Sequence, residues 1–216
     1  MKPARARAGW TLLELSVATT ILLGVLGIPG ILLLTSSGAY RVESVTSELA
    51  TNSRRALAAL GDQLVDAGID QIDEAAAGPG LSHAQITFRR LEGLAGAAPV
   101  WGNQQRVLLQ AAANDPIDGV DNDGDGLVDE RVLVWIEDLG LPGQSTRVVC
   151  RNVSAALEGE VLGNGLDDNG NDLIDEGGLS IAFDGARVTI GLTLERITDQ
   201  RERLQHTSWR VVALRN

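Results

Sequence analysis

Apolar residues dominate the chain from Trp10 onward, and from Leu15 to Tyr40 no charged residue interrupts them. As a helix, the stretch from Leu15 to Leu34 would reach about 30 Å, the thickness of a bilayer core. Lys2, Arg5 and Arg7 precede the run with no acid among them. Basic residues on that side hold it in the cytoplasm and place the remainder outside. A secretory signal peptide is the rival reading, but the run is longer than a signal h-region and no A-x-A-like cleavage site closes it. Gly24, Gly27, Pro29 and Gly30 fall within the run. Proline removes a backbone donor and clashes with the preceding turn, which predicts a kink or local melting near 24–30.

Beyond Ser36, Ser37 and Gly38 the chain turns polar but keeps a helical period. Val42, Val45, Leu49, Ala56, Leu60 and Leu64 recur at three- and four-residue steps, making one apolar stripe. The helix is expected to run to Ala67, with Gly68 as its stop, and residues 69–82 to form a connector rich in Gly, Ala and acids. From there the period shortens to two. Runs at 85–90, 107–110, 131–137, 146–153, 179–183, 187–194 and 208–214 alternate or cluster β-prone residues as half-buried strands do. The last two make a C-terminal pair around a loop at 199–204. The pattern divides the chain into a basic start (1–9), a transmembrane helix (10–36), its amphipathic continuation (37–68) and a β-rich head (69–216). The fold class expected is α+β: a long N-terminal helix, half in the membrane and half amphipathic, packed on an antiparallel sheet.

Composition changes this picture in two places. The net charge of -11 opposes nucleic acid as a broad partner, because phosphate binding needs clustered Lys and Arg. Yet 11 of the 29 acids lie in 118–130 and 164–176, which leaves 18 acids against 18 Lys and Arg elsewhere. The acidity therefore belongs to two local sites. Cys150 is a single cysteine in an apolar run, hence a buried thiol with no disulfide partner in the chain. His83 and His206 stand in unrelated surroundings, and neither is assigned a catalytic or metal-binding role.

Glu14 is the unusual residue of the apolar run, since a carboxylate entering a membrane is expensive without a partner. The segment Gly9-Trp10-Thr11-Leu12-Leu13-Glu14-Leu15, after a short basic leader, resembles the processing site of type IV prepilins and pseudopilins, G-F-T-L-x-E, with Trp10 in place of Phe. The resemblance implies that a prepilin peptidase cuts after Gly9 and that the new N-terminus at Trp10 is methylated. It also implies that Glu14 pairs with the terminal amine of a neighbouring subunit, a charge pair that is neutral in hydrocarbon only when two subunits stack. The stretch SRRALAALGDQLVDAG (53–68) and the closing VVALRN are similar to those of W-type minor pilins and of the minor pseudopilin J of type II secretion.

The second chemical signal is an internal repeat. Residues 118–130 (DGVDNDGDGLVDE) align without gaps on 164–176 (NGLDDNGNDLIDE). Oxygen side chains recur at alternate positions: Asp121, Asp123 and Asp125, then Asp129; Asp167, Asn169 and Asn171, then Asp175. Such a pattern on a Gly-relaxed loop suits Ca²⁺, which takes six to eight oxygens. The backbone carbonyls of Leu127 and Leu173 are candidate ligands, and Asp118 is a candidate addition to the first site. The opening D-x-D-x-D-G looks like an EF-hand loop, but Val132 stands where that loop has its closing Glu. The acids that follow resemble thrombospondin type 3 calcium loops, with Asp129 and Asp175 as closing ligands and Glu130 and Glu176 unassigned. The opposing reading is two solvated acidic turns, built of the Asp, Asn and Gly that turns use. Two calcium ions are expected, and extracellular calcium is high enough to fill even weak sites.

The reading that follows is a minor pilin or pseudopilin, not an enzyme, that primes or caps a type IV pilus or type II secretion pseudopilus. Its partners would be other such subunits, the prepilin peptidase and the inner membrane, with the head periplasmic or at the cell surface and no nucleic acid bound. A membrane-anchored calcium-dependent adhesion module that does not assemble is the alternative. A membrane-tethered hydrolase is disfavoured, because no His, Lys or nucleophile accompanies the carboxylates in sequence.

Overall fold

The computed structural model describes residues 11–73 and 82–214, with the side chains of 26–37 and 39 excluded. The leader, Gly9 and Trp10, and residues 74–81 of the expected connector therefore lie outside the described residues. The chain divides into two compact units, Met1–Ser44 and Val45–Asn216.

In the first unit the backbone is helical from Leu12, the start of α1 (Leu12–Leu64). The start has a local cause. Thr11 and Glu14 form a capping box: the Glu14 backbone N–H donates to Thr11 Oγ1 at 3.2 Å, and the Thr11 N–H donates to Glu14 Oε2 at 3.0 Å. Ser16, Thr19 and Thr20 turn their hydroxyls back onto helix carbonyls. The backbone remains helical through 24–30, so the local melting expected there does not occur.

The second unit is built on an antiparallel sheet of eight strands: β1 (Ala67–Asp73), β2 (Gln85–Ala95), β3 (Ala98–Ala111), β4 (Arg131–Glu137), β5 (Ser145–Val153), β6 (Leu179–Phe183), β7 (Arg187–Ile197) and β8 (Arg203–Ala213). The order is β1-β2-β3-β4-β5-β7-β6, with β8 also on β7. One edge of β7 is paired along its whole length by β8. Its other edge is shared between β6, against 188–192, and the last residue of β5, Val153 opposite Leu194. His83, just ahead of β2, exchanges two 2.9 Å backbone hydrogen bonds with Ile181 of β6. This bridge joins β6, one end of the sheet path, to the start of β2, next to the other end, and the sheet curls into a half-barrel.

Inside the curl Trp135 is fully buried, meeting Phe88 edge to face at 6.0 Å, with Arg147 4.6 Å from its ring centre. Leu179, Val188, Ile190 and Leu192 continue this core. It is closed by Leu49, Ala56, Leu60 and Leu64 of the helix, all positions of the predicted stripe, and by Leu57, which the stripe did not include. Ser53 lies on the same face and meets Ser208 at 2.7 Å, so its buried hydroxyl is satisfied across the interface.

Several expectations are corrected. The architecture is predominantly antiparallel β, not an α+β fold organised around a long helix with a membrane half. Among the described residues no helix is long and apolar enough to cross a membrane. Val45 packs half-buried against the core, and full burial begins at Leu49. The helix also ends at Leu64, not Ala67, because the chain turns there into β1, which pairs with β2 at Ala67 opposite Arg90. Gly68 is needed for that approach: a Cβ would lie 2.4 Å from the Trp101 ring. β2 and β3 run further than their apolar cores, through a hairpin at Gly96 and Ala97 with two register shifts. Arg203 and Leu204, placed in a loop from sequence, begin β8.

Candidate metal centre

Both repeats are loops of the half-barrel. The first joins β3 to β4, and the second lies in the β5–β6 connection. Their backbones agree position by position. Gly119, Gly124, Gly126 and Asp129 have positive φ in the first loop, and Gly165, Gly170, Asp172 and Asp175 have it in the second. Glycine adopts that region freely and aspartate tolerates it, so Asp172 can stand where the first copy has Gly126.

Side-chain hydrogen bonds repeat in the same way. Asp121 accepts from the N–H of Gly124 at 2.6 Å and of Gly126 at 3.0 Å; Asp167 accepts from Gly170 at 2.6 Å and Asp172 at 2.8 Å. The Leu127 N–H reaches Asp125 Oδ1 and the Leu173 N–H reaches Asn171 Oδ1, each at 2.9 Å. Asn122 donates its amide to Asp118 at 3.0 Å, whereas Asn164 donates to Asp168 at 2.6 Å. Donor and acceptor have exchanged places between the copies, and the bond is kept.

The predicted ligands divide by role. Asp121, Asp123 and Asp125 come together, each offering an oxygen within 4.8 Å of the others, and this cluster could bind a metal ion. Asp123 and Asp125 are exposed, so a cation could reach them from solvent. Asp129 does not join that grouping. Its Oδ1 accepts from the N–H of Asp118 and of Gly119, both at 2.8 Å, and ties the two ends of the loop together. Asp175 does the same for Gly163, Asn164 and Gly165. Leu127 is buried and Leu173 half-buried, each anchoring its loop to the head. Asp118 accepts from the Val120 N–H and the Asn122 amide.

Beneath each loop lies a pair of buried acids, one of them just outside the repeat. Under the first loop these are Asp115 and Glu130. Asp115 accepts the Asn122 N–H at 2.8 Å and the Glu130 N–H at 3.0 Å. A hydrogen bond with the Glu130 carboxyl, then that from Asn122, draws the Asp115 carboxyl down to about 2. Burial, then the same hydrogen bond with Asp115, pushes Glu130 up to about 8. Under the second loop the pair is Glu160 and Glu176. Glu160 Oε1 accepts the N–H of Asp168 and of Asn169, each at 2.9 Å. Glu176 Oε1 accepts from the Asn171 amide at 2.6 Å. Burial raises the Glu176 carboxyl, and the charge of Glu160 adds to the rise despite the Asn171 bond. Burial opposes ionisation of Asp167, but the N–H groups of Asp172, Gly170, Asn171 and Asn169 outweigh it and hold that carboxyl low.

Asp115 and Glu160 were not singled out from sequence. They sit at different offsets from their repeats, three residues before Asp118 and four before Asn164, and the longer Glu side chain makes up the extra residue. Each reaches the backbone N–H at the same loop position, that of Asn122 or Asp168. An acid shortly before each repeat was the only signal, and a gapless alignment does not register it.

No protein-family model, curated protein or solved structure matches this chain.

Proposed function

We propose that the chain is a structural subunit of the type IV pilin and pseudopilin class, a minor component of its filament, with a head stiffened by calcium in two loops. The observation that carries this reading is the first unit of the helix. Leu12, Leu13, Leu15, Val17, Ile21, Leu22, Leu23 and Val25 are each more than half exposed. At 100° per residue they fall all round the helix, and a helix apolar on every side needs cover on every side. The helices of neighbouring subunits supply that cover in a filament, with Glu14 set at its head to meet a neighbour's terminal amine. Calcium suits the loops because their side chains offer hard oxygens, and in the first loop three alternate carboxylates come together.

A second reading, a calcium-dependent adhesion module that does not assemble, is favoured by one observation: Glu14 is already engaged in its own chain with Thr11. A capping box accepts Gln as well as Glu, so one substitution separates the roles. Glu14→Gln keeps the cap and removes the charge, whereas Glu14→Ala removes both. Loss of filament incorporation in Glu14→Gln supports the filament reading. Normal incorporation of Glu14→Gln, with loss only in Glu14→Ala, reduces Glu14 to a helix cap and sinks the charge-pairing role. Mass spectrometry of protein co-expressed with a prepilin peptidase gives an independent check. The filament reading expects loss of residues 1–9 and a methyl group on Trp10.

A further inference from the structure

The second loop lacks the cluster of acids found in the first, because Asn169 and Asn171 replace two of the three aspartates. Asp167 accepts from backbone N–H groups on both oxygens, as Asp121 does, and Asn171 accepts the Leu173 N–H as Asp125 accepts that of Leu127. What differs is that neutral amides stand where the first loop has the carboxylates of Asp123 and Asp125. Of the second loop's three alternate positions, Asn169 alone has a side-chain oxygen without a hydrogen bond. Below the loop two further oxygens are in the same condition. Glu160 Oε2 and Glu176 Oε2 are buried and accept no hydrogen bond, on residues 8% and 0% exposed.

The residues that carry these oxygens are linked to one another. Glu160 binds the Asn169 N–H through its other oxygen. Leu157 links the two acids, its N–H donating to the Glu176 carbonyl and its carbonyl accepting from the Glu160 N–H. Gly159 lies against Asn169, where a Cβ would be 3.2 Å from the Asn169 Cβ. Two buried carboxylates that each leave an oxygen unpaired are costly unless a cation or a proton serves both.

We propose that the second loop binds a divalent cation through Glu160, Asn169 and Glu176, at a site under the loop, with Asp175 acting as the loop's internal tie. The proposal deepens the calcium reading of the loops and rests on it for the identity of the ion. Oxygen-only ligands, two of them carboxylates, fit a hard cation such as Ca²⁺. Glu130 Oε2 beneath the first loop is unpaired as well, but that loop has three carboxylates of its own that come together, whereas the second has Asn169 and the two glutamates beneath it.

The test is a calcium titration of the full chain in detergent, with bound ions counted by native mass spectrometry and affinities taken from calorimetry. Two ions are expected in the wild type. Glu160→Gln and Glu176→Gln, which conserve shape, should each lose one ion or weaken it by at least about tenfold. Asp121→Asn should lose the other. Hydrogen exchange adds a readout that needs no Glu variant: calcium should slow the amides of 157–176 in both wild type and Asp121→Asn. If both Gln variants keep two ions at wild-type affinity, the proposal is overturned while calcium binding by the loops stands. A wild type that takes one ion, lost in Asp121→Asn, likewise confines the cation to the first loop. No ion bound at all removes the proposal and the calcium reading together.

Discussion

Single residues in this head are set by what lies opposite them. Cys150 shows this for reactivity. Burial first, against a smaller effect of the Leu133 backbone, pushes its thiol up to about 12. The thiolate, which is the nucleophile, is then absent at neutral pH. Iodoacetamide at pH 8 should leave the native thiol essentially unmodified and alkylate it readily in urea; rapid native alkylation would contradict the burial. Asp184 shows it for charge. The N–H groups of Ala186 (3.1 Å) and Arg187 (2.8 Å) bind its carboxylate in the β6–β7 turn and hold its pKa below the usual value. A lowered pKa gives stability that is present above the unfolded value of 3.8 and is lost as pH falls through the folded one. Asp184→Asn should therefore flatten the acid limb of the urea midpoint against pH. An unchanged limb would show that the turn does not depend on the charge.

At the scale of elements, one close approach is between backbones. Gly178 follows the second loop directly, and a Cβ there would lie 1.9 Å from the Ser154 carbonyl oxygen. That carbonyl cannot swing away as a side chain would, because the Ser154 N–H is bonded to Thr193 and the Thr193 N–H to Gly178. Gly178→Ala should cost about 1–3 kcal/mol in chemical denaturation, the range for forced overpacking. Gly163→Ala, with open space around it but a positive φ, tests strain without a clash and should cost less. Equal costs would mean that the β5–β7 junction yields.

For the whole molecule, a cation held by these loops would be coupled to folding, because the first loop takes its shape between the paired strands β3 and β4 and the second between β5 and β6. A ligand that binds only the folded state stabilises it by RT ln(1 + [L]/Kd). At about 1 mM calcium, sites with Kd of roughly 0.1–1 mM would each add about 0.4–1.4 kcal/mol. Calcium should thus raise Tm by several degrees, chelation should reverse the rise, and Mg²⁺ should do less because it prefers to keep its waters. A Tm indifferent to calcium would remove the stiffening role. Glu160→Gln should abolish part of the rise without affecting the part that Asp121→Asn removes.

What the sequence determined by itself was the local pattern. Alternating residues such as those from Val188 to Leu194 located β7 and its partner β8, because a period of two is a property of the strand alone. Asp, Asn and Gly at fixed spacing determined two loops of one shape, because the bonds from Asp121 to Gly124 and from Asp167 to Gly170 close within a few residues. The stripe from Leu49 to Leu64 marked the face of the helix that is buried. The tertiary structure decided whatever depends on contacts between distant residues. β1 has too much Gly, Ala and acid to be read as a strand, and it exists because β2 offers it an edge. Asp115 and Glu160 look like ordinary surface acids in the sequence. They become buried partners of Glu130 and Glu176 only once the half-barrel has closed, since burial, unlike periodicity, is conferred by residues elsewhere in the chain.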